Sequence, residues 1–195
     1  MVESALVRSG AAASRKLTVK ALVSLGIVIL AVALPQFAHL VGGAAAGVAW
    51  LAMYLPVLLG GCLMGPLWGA VIGMASPLVS YLLTSAMGSP MPAAARLPFM
   101  MLELAVFAVV AGAFSRKIEE NSWFVLPAVL LAMVAGRGVF LLAVALTQDF
   151  TPFTAAMIWG QIKTGVRGLA LQAVAVPLMV VGIKALLHRD EADHE

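Results

Sequence analysis

Four ionisable side chains that could bind a charged solute lie inside long apolar stretches of the sequence: Glu103, Arg137, Lys163 and Arg167. Each would cost about 2.5–3.5 kcal/mol at a lipid-facing helix centre, and all four would cost roughly 10–14 kcal/mol if left unpaired. We therefore expect them to face the interior of a helix bundle or water. Lys163 and Arg167 are four residues apart, so a helix would place both on one face.

Two interpretations of these charges are open. In the first, they form an internal network in which Glu103 neutralises one cation and the others pair with backbone carbonyls or reach water. In the second, they line an outward-facing pocket whose three cations exceed its one anion, which favours an anionic or carboxylate-bearing solute. Guanidinium groups bind carboxylates through two parallel hydrogen bonds, and an ammonium adds a point charge. Further candidate contacts near the same face are Tyr54, Trp159 and Gln161.

The composition indicates which elements position these residues. Of 195 residues, 63% are hydrophobic and 11% are charged, whereas a typical soluble domain is about 25% charged. With a mean hydropathy of +1.05, the chain is expected to be an all-α polytopic membrane protein, long enough for five or six spans of about 20 residues. Polar residues, Pro and Gly divide it into six predicted transmembrane helices, at residues 21–41, 44–64, 67–87, 97–114, 123–146 and 153–187.

Basic residues predict the orientation of these helices. With six spans, most of the Lys and Arg near the ends of the predicted helices fall on one face, namely Arg8, Arg15, Lys16, Lys20, Arg116, Lys117, Lys184 and Arg189. The positive-inside rule makes that face cytoplasmic, so both termini are expected inside. Tails at 1–20 and 188–195 then flank a six-helix domain at 21–187. The opposite loops carry only Arg96 and Asp149 as charges, and the longer loop, at 84–98, is a candidate lid.

The depth of the four charges follows from the rise of an α-helix. Counted at 1.5 Å per residue from the external end of each predicted span, Glu103 lies about 9 Å deep, Arg137 about 14 Å, Lys163 about 15 Å and Arg167 roughly 21 Å. Three of the four are therefore predicted to occupy the outer half of the membrane. This placement favours a pocket that opens to the outside.

Several function classes find no support in the residues. The sequence has no Walker-type phosphate loop, no HExxH zinc motif and no GxSxG nucleophile elbow, so we do not expect an enzyme. Cys62 is the single cysteine, which excludes a multi-cysteine metal site, and neither a metal nor a cofactor is expected on this chain. The net charge of +3 is spread over segment ends instead of forming a patch, so no nucleic-acid partner is expected.

Short motifs in residues 53–114 resemble a known family. They are MYLPVLLGG at 53–61, MGPLWGA at 64–70, SPL at 76–78 and MLELA at 101–105, followed by AGR at 135–137 and the stretch 172–177. The pattern resembles the substrate-binding S components of energy-coupling factor (ECF) transporters. The resemblance implies a subunit of the bacterial cytoplasmic membrane that binds a water-soluble vitamin or cofactor precursor outside the cell. A transmembrane scaffold subunit and two ABC-type ATPases then drive uptake, so ATP binds to the partners.

The resemblance also implies roles for individual residues. Glu103 and Arg137 match positions common in the family pattern, whereas Lys163, Thr164 and Arg167 stand where many relatives have an Asn-containing Pro-Gly segment. These three residues are therefore predicted to determine substrate specificity. The family's first helix usually faces the scaffold with an AxxxA pattern, which is absent here, and the small residues that remain as docking candidates are Ala21, Gly26 and Ala31.

The leading hypothesis is an S component that binds an anionic or carboxylate-bearing vitamin or precursor. The alternative is an energy-independent channel or facilitator for a small anionic solute, in which the buried charges line a continuous pathway. A third hypothesis is an assembly subunit that binds no solute. Dependence of uptake on ATP separates the first two, and a bound solute separates both from the third.

Overall fold

A computed structural model describes Val2, Leu6 and residues 13–192 of the chain, with residues 44–49 and 187–192 described by their backbone alone. Within residues 13–192, the α-helices are α1 (Ala13–Trp50), α2 (Tyr54–Met64), α3 (Pro66–Ala86), α4 (Leu97–Ala113), α5 (Ser115–Glu120), α6 (Val125–Thr147) and α7 (Ala155–Ala192). Single 3-10 turns at Ala94–Arg96 and Ser122–Phe124 lead into α4 and α6. No strand occurs among the described residues, which confirms the predicted all-α class.

Five helical segments are long and apolar enough to cross a membrane, namely Ala13–Gly43, Pro66–Ala86, Ala94–Ala113, Ser122–Thr147 and Ala155–Leu186. The remaining apolar helix, α2, has 11 residues and is about 16 Å long at 1.5 Å per residue. That is about half of a hydrocarbon core of roughly 30 Å. Six full spans are therefore not confirmed, and the predicted bounds of the second span are wrong, because the stretch 44–64 does not form one helix.

The stretch 44–64 is divided by backbone geometry. Gly43 has φ 68° and ψ −173° inside α1, a conformation that glycine adopts at little cost. The helix resumes to Trp50 and then stops, and Leu51 has φ 50°, which side-chain-bearing residues adopt less readily. Residues 51–53 form a short non-helical link before α2.

The helix α2 lies at the centre of the bundle, because every residue in it except Leu55 is buried. Glycines line the contacts among α2, α3 and α4. A Cβ added at Gly61 would lie 2.5 Å from the carbonyl oxygen of Ala108 in α4, and one at Gly73 in α3 would lie 2.5 Å from that of Leu104. Such small residues let helix backbones approach closely in membranes, so these glycines allow close packing of the helices.

The two ends of the bundle differ in character. The start of α1, the α2–α3 turn and the α4–α5 junction meet around one cleft, which is lined in part by Lys20, Gly65 and Arg116. The end of α7 reaches the same region, where the Lys184 ammonium donates to the carbonyl oxygen of Glu119 at 2.6 Å. We call this the basic end, and we call the opposite end, with the loops 87–93 and 148–154, the cavity end.

The predicted tails and the helix bounds differ in detail. The helix α1 begins at Ala13, so residues 13–20 of the predicted N-terminal tail are helical, and α7 continues to Ala192 beyond the predicted end of the helical domain. Residues 1, 3–5, 7–12 and 193–195 of the predicted tails lie outside the described residues. Both α1 and α7 approach the basic end, so the described chain enters and leaves the bundle on the same side.

Candidate binding cavity

A buried ion pair joins three helices near the middle of the bundle. Glu103 of α4 is fully buried, and its Oε1 lies 2.8 Å from Nη1 of Arg137 in α6, which is 7% exposed. The hydroxyl of Tyr54, the first residue of α2, donates to Oε2 of Glu103 at 2.6 Å. The Arg137 guanidinium also lies 4.9 Å from the centroid of the Tyr54 ring. Each ion is thereby stabilised against the cost of leaving water.

A glycine next to Arg137 makes this arrangement sterically feasible. A Cβ added at Gly136 would lie 2.1 Å from Cδ2 of Phe107, so only glycine lets α6 approach the Phe107 ring of α4. Phe107 in turn packs edge-on against Tyr54, with ring centroids 5.2 Å apart. The AGR motif therefore supplies a cation and the space that lets its helix reach the pair.

The non-helical residues 51–53 border this region. The carbonyl oxygen of Leu51 accepts hydrogen bonds from Nε2 of Gln172 in α7 and from the backbone N–H of Tyr54, each 2.9 Å long. Backbone without helical hydrogen bonds is tolerated at membrane depth where it is buried in protein or lines a cavity. The N-terminal end of α2, which carries a partial positive charge, begins directly after this link.

A cavity of about 290 Å³ lies at the cavity end, above the Glu103–Arg137 pair. Most of its wall is apolar, and among the described residues two guanidinium groups and no carboxylate line it. Its lining residues are Pro35, Gln36, His39, Leu51, Ala52, Met53, Tyr54, Ser80, Met91, Pro92, Arg96, Met100, Arg137 and Gln161. The described residues contain no group of three or more His, Cys, Asp or Glu that could hold a metal ion.

The two arginines of the cavity wall retain unused hydrogen-bond donors. Arg96 donates through Nη2 to Oε1 of Gln161, and its guanidinium lies 5.8 Å from the centroid of the Phe140 ring. Among the described residues, the buried Nε of Arg96 has no hydrogen-bond partner, and neither have Nε and Nη2 of Arg137. A buried donor without a partner carries a desolvation cost of about 1–3 kcal/mol. A ligand that accepts from these groups would remove that cost.

The loop between α3 and α4 forms part of the cavity wall. The Ser80 hydroxyl donates to the carbonyl oxygen of Met91 at 2.9 Å, and the Met91 N–H donates to Oγ1 of Thr84 at 2.8 Å. These two α3 side chains hold Met91 and Pro92 against the cavity. The predicted lid at 84–98 therefore contains residues that line the cavity, and its opening and closing stay a prediction.

Comparison with known proteins identifies the family. The family model described as ECF transporter, substrate-specific component matches residues 15–183. The chain belongs to this family. The resemblance drawn from residues 53–114 is thus confirmed, and the protein is a multi-pass membrane protein of ECF-type transport. No curated protein and no solved structure matches the chain.

The structure of this S component brings together half of the residues predicted to bind substrate. Tyr54, Arg137 and Gln161 line the cavity, and Glu103 lies behind Arg137 as its counterion. The first interpretation of the charges, an internal ion pair, therefore describes Glu103 and Arg137. Because Arg137 also has donors without partners among the described residues, it could in addition contact a solute, as in the second interpretation.

The other four predicted substrate-binding residues do not line the cavity. Trp159, Lys163, Thr164 and Arg167 are exposed on the outer surface of α7, so their predicted place in a shared pocket is not what the structure shows. The buried face of α7 carries other residues, which recur at helical spacing: Ile158, Gly165, Gly168, Gln172, Val176 and Val180. Successive helix residues turn by about 100°, so Lys163 lies about 200° from the inward-facing Gln161.

The three predicted docking residues of the S component differ in their exposure. Ala21 and Gly26 are exposed, and nothing lies within 4 Å of a Cβ added at Gly26. Ala31, in contrast, is fully buried in the core of the bundle. A contact of Ala31 with a partner subunit is therefore incorrect for this structure, because the side chain already packs inside. Docking by Ala21 and Gly26 stays a prediction.

One cavity residue, Arg96, is absent from the binding residues predicted from the sequence. Arg96 was assigned to topology as a loop charge, yet its side chain lines the cavity. One signal was available, because Arg96 is one of only two charges in the predicted external loops and immediately precedes a span. Gln172 is one of the polar residues expected near the outer face, and the structure shows it bonded to the Leu51 carbonyl at the break at residues 51–53.

Proposed function

We propose that this S component binds a small carboxylate-bearing solute in the 290 Å³ cavity, with Arg96 and Arg137 as the carboxylate-binding groups. The observation that carries the proposal is the set of buried donors without partners on both arginines. A guanidinium donates to a carboxylate in a planar, two-pronged geometry. A carboxylate at this position would therefore accept from the donors that the described protein residues leave unused.

The charge balance of the site supports a monoanionic group. Glu103 neutralises one positive charge through its ion pair with Arg137, and Arg96 has no acidic partner among the described residues. One positive charge is therefore left for a solute. This is a smaller excess than the sequence predicted, because Lys163 and Arg167 do not contribute to the cavity.

The size and the lining of the cavity support a compact, partly apolar solute. Ligand pockets commonly measure about 300–1,000 Å³, so 290 Å³ is at the small end of this range. Met53, Met91, Pro92 and Met100 offer apolar and adaptable contacts. This combination favours a vitamin or precursor of small size, with one carboxylate and an apolar body, over a tetrapyrrole.

In this proposal the cavity end faces the outside of a bacterial cytoplasmic membrane and the basic end faces the cytoplasm, as the positive-inside rule indicates. Delivery of the solute inward requires a scaffold subunit and two ATPases, which together with this chain form the transporter. The chain itself contributes binding and has no role in ATP hydrolysis.

Paired ligands that differ only in charge test the proposal. Binding to the purified protein would be measured by titration calorimetry with pantothenate against pantothenol, biotin against biotin amide, and nicotinate against nicotinamide, guided by native mass spectrometry of any retained molecule. One acid is expected to bind, and its neutral counterpart is expected to bind at least tenfold more weakly. Equal binding of an acid and its neutral counterpart would show that no carboxylate site exists.

A matched pair of arginine variants assigns the site within the protein. Arg96→Gln is expected to weaken binding of the acid roughly 10- to 100-fold, because a hydrogen bond to a charged group contributes about 1.5–3 kcal/mol. Arg116→Gln at the basic end removes the same charge far from the cavity and is expected to change affinity less than twofold. Equal effects of the two variants would contradict the assignment to the cavity.

Energy coupling separates the proposal from a facilitator. Proteoliposomes with this chain alone are expected to bind the acid without accumulating it in the lumen. Accumulation that needs the scaffold and ATP supports the S-component proposal, whereas equilibration by the chain alone would establish the channel or facilitator instead.

A further inference from the structure

The outer face of α7 carries two cations that the cavity does not use. Lys163 and Arg167 are exposed within the membrane-spanning segment Ala155–Leu186, and this segment contains no Asp or Glu. Among the described residues, neither cation forms an ion pair, and the Lys163 ammonium lies 5.9 Å from the centroid of the Trp159 ring. Exposed cations on a lipid-facing helix require a compensating partner.

The position of these cations along the helix corresponds to a membrane boundary. Lys184 anchors α7 at the basic end. At 1.5 Å per residue, Arg167 lies about 26 Å and Lys163 about 32 Å from Lys184 along the helix. Because the hydrocarbon core is about 30 Å thick, Lys163 reaches the opposite boundary and Arg167 lies within about one helical turn of it. Both are therefore nearer to the boundary than the depths counted from the predicted start of the sixth span indicate. Trp159, one turn further out and 52% exposed, is of the type enriched at that level.

The same face continues as an apolar strip towards the basic end. Leu171, Val174 and Leu178 follow Arg167 at helical spacing and are 47%, 60% and 67% exposed. From Arg167 to Leu178 the helix rises about 16 Å, which is close to half of the hydrocarbon core and thus to the depth of one leaflet. The face therefore combines a cationic end with an apolar track of the length of a lipid chain.

We propose that this α7 face binds an anionic phospholipid of the leaflet at the cavity end. Residues four apart on a helix have Cβ atoms about 5–6 Å apart, so Lys163 and Arg167 can converge on one phosphodiester group. Arg167 supplies a two-pronged contact and Lys163 a point charge. The acyl chains lie along Leu171, Val174 and Leu178, and the Trp159 ring packs beside the headgroup.

The combination of features selects a lipid over other occupants. A carboxylate solute would gain contact with the cations but would leave the apolar strip unmatched. A lipid satisfies both parts at once, in the orientation that the membrane imposes. The lipid site is also separate from the cavity, because Gln161 and Lys163 point to opposite sides of α7.

Native mass spectrometry of the purified full-length chain tests the proposal through an affinity for lipid. Delipidated protein would be titrated with phosphatidylglycerol and with phosphatidylcholine of identical acyl chains. Phosphatidylglycerol is expected to bind at least tenfold more tightly. The double variant Lys163→Gln/Arg167→Gln is expected to bind phosphatidylglycerol about 30-fold more weakly. Each cation near an anionic lipid surface contributes about 1 kcal/mol, and the resulting total of about 2 kcal/mol corresponds to about 30-fold at about 1.4 kcal/mol per tenfold.

Control variants keep the result interpretable. The charge-preserving Lys163→Arg/Arg167→Lys is expected to retain affinity within about threefold, and Thr164→Val, which removes a hydroxyl bonded only within its own helix, is expected to have no effect. Equal affinity for both lipids, or an unchanged double Gln variant, overturns the proposal. Loss of a homodimer or loss of carboxylate binding in the double variant also overturns it, because the face would then serve a second copy of the chain or the substrate. Since the readout is lipid affinity, failure here leaves the proposed cavity untouched.

Discussion

The two halves of the bundle, towards the basic end and towards the cavity end, differ in how α2, α3 and α4 meet. Towards the basic end, backbones touch through glycines: a Cβ at Gly112 would lie 2.6 Å from the backbone of Gly65. Towards the cavity end, α2 starts after the break at 51–53, and side chains of unequal size enclose 290 Å³. We call the first the closed half, because glycine contacts bring its helix backbones together, and the second the open half, because the break at 51–53 leaves space beside α2.

The largest effect is expected from removing the Glu103 carboxylate, which lies behind Arg137 at the base of the cavity. Glu103→Leu would leave the buried Arg137 cation without its counterion, which is expected to lower the free energy of unfolding by about 3–5 kcal/mol. Equilibrium unfolding in mixed micelles would measure this. The double variant Glu103→Leu/Arg137→Met is expected to recover most of the loss. Similar stability of the single and double variants would show that the pair is not the cause.

A bulkier residue in the closed half should have the next largest effect. In Gly73→Val, the Cβ would lie 2.5 Å from the carbonyl oxygen of Leu104, which is backbone that cannot move aside. Overpacking of this kind is expected to lower the free energy of unfolding by about 1–3 kcal/mol, measured in the same micelles. Gly138→Val is the matched control, since nothing lies within 4 Å of its added Cβ. Equal losses would mean that helix propensity, and not backbone contact, sets the cost.

The smallest effect is expected from a hydrogen bond that holds the loop at the cavity wall. Thr84→Val removes the acceptor of the Met91 N–H, a neutral hydrogen bond of about 0.5–1.5 kcal/mol. The loop should then hold the cavity wall less firmly, and affinity for the proposed carboxylate solute is expected to fall about 2- to 10-fold by calorimetry. Thr147→Val, whose hydroxyl donates only to Ala143 in its own helix, should leave affinity unchanged. An unaffected Thr84 variant would mean that this bond does not shape the cavity.

Much of the architecture could be predicted from the sequence, because it depends on composition along the chain. Long apolar stretches predict membrane-spanning helices wherever backbone groups must be satisfied without water, and five such segments are present. The pairing of Glu103 with one cation was one of two interpretations that the cost of an unpaired charge left open. The family followed from short motifs that the match over residues 15–183 confirms.

Tertiary structure decided which charges face the cavity. In a soluble helix the polar face marks the outside, but in a membrane both the lipid and the core are apolar, so the sequence pattern does not distinguish the two sides. Lys163 and Arg167 could therefore be recognised as unusual, but their outward direction depends on the inward packing of Gly165, Gly168 and Gln172. Arg96 likewise became a cavity residue only through the folding of its loop against α7. Apolar composition determined that the chain enters the membrane, and the packing of its helices determined which charges line the cavity.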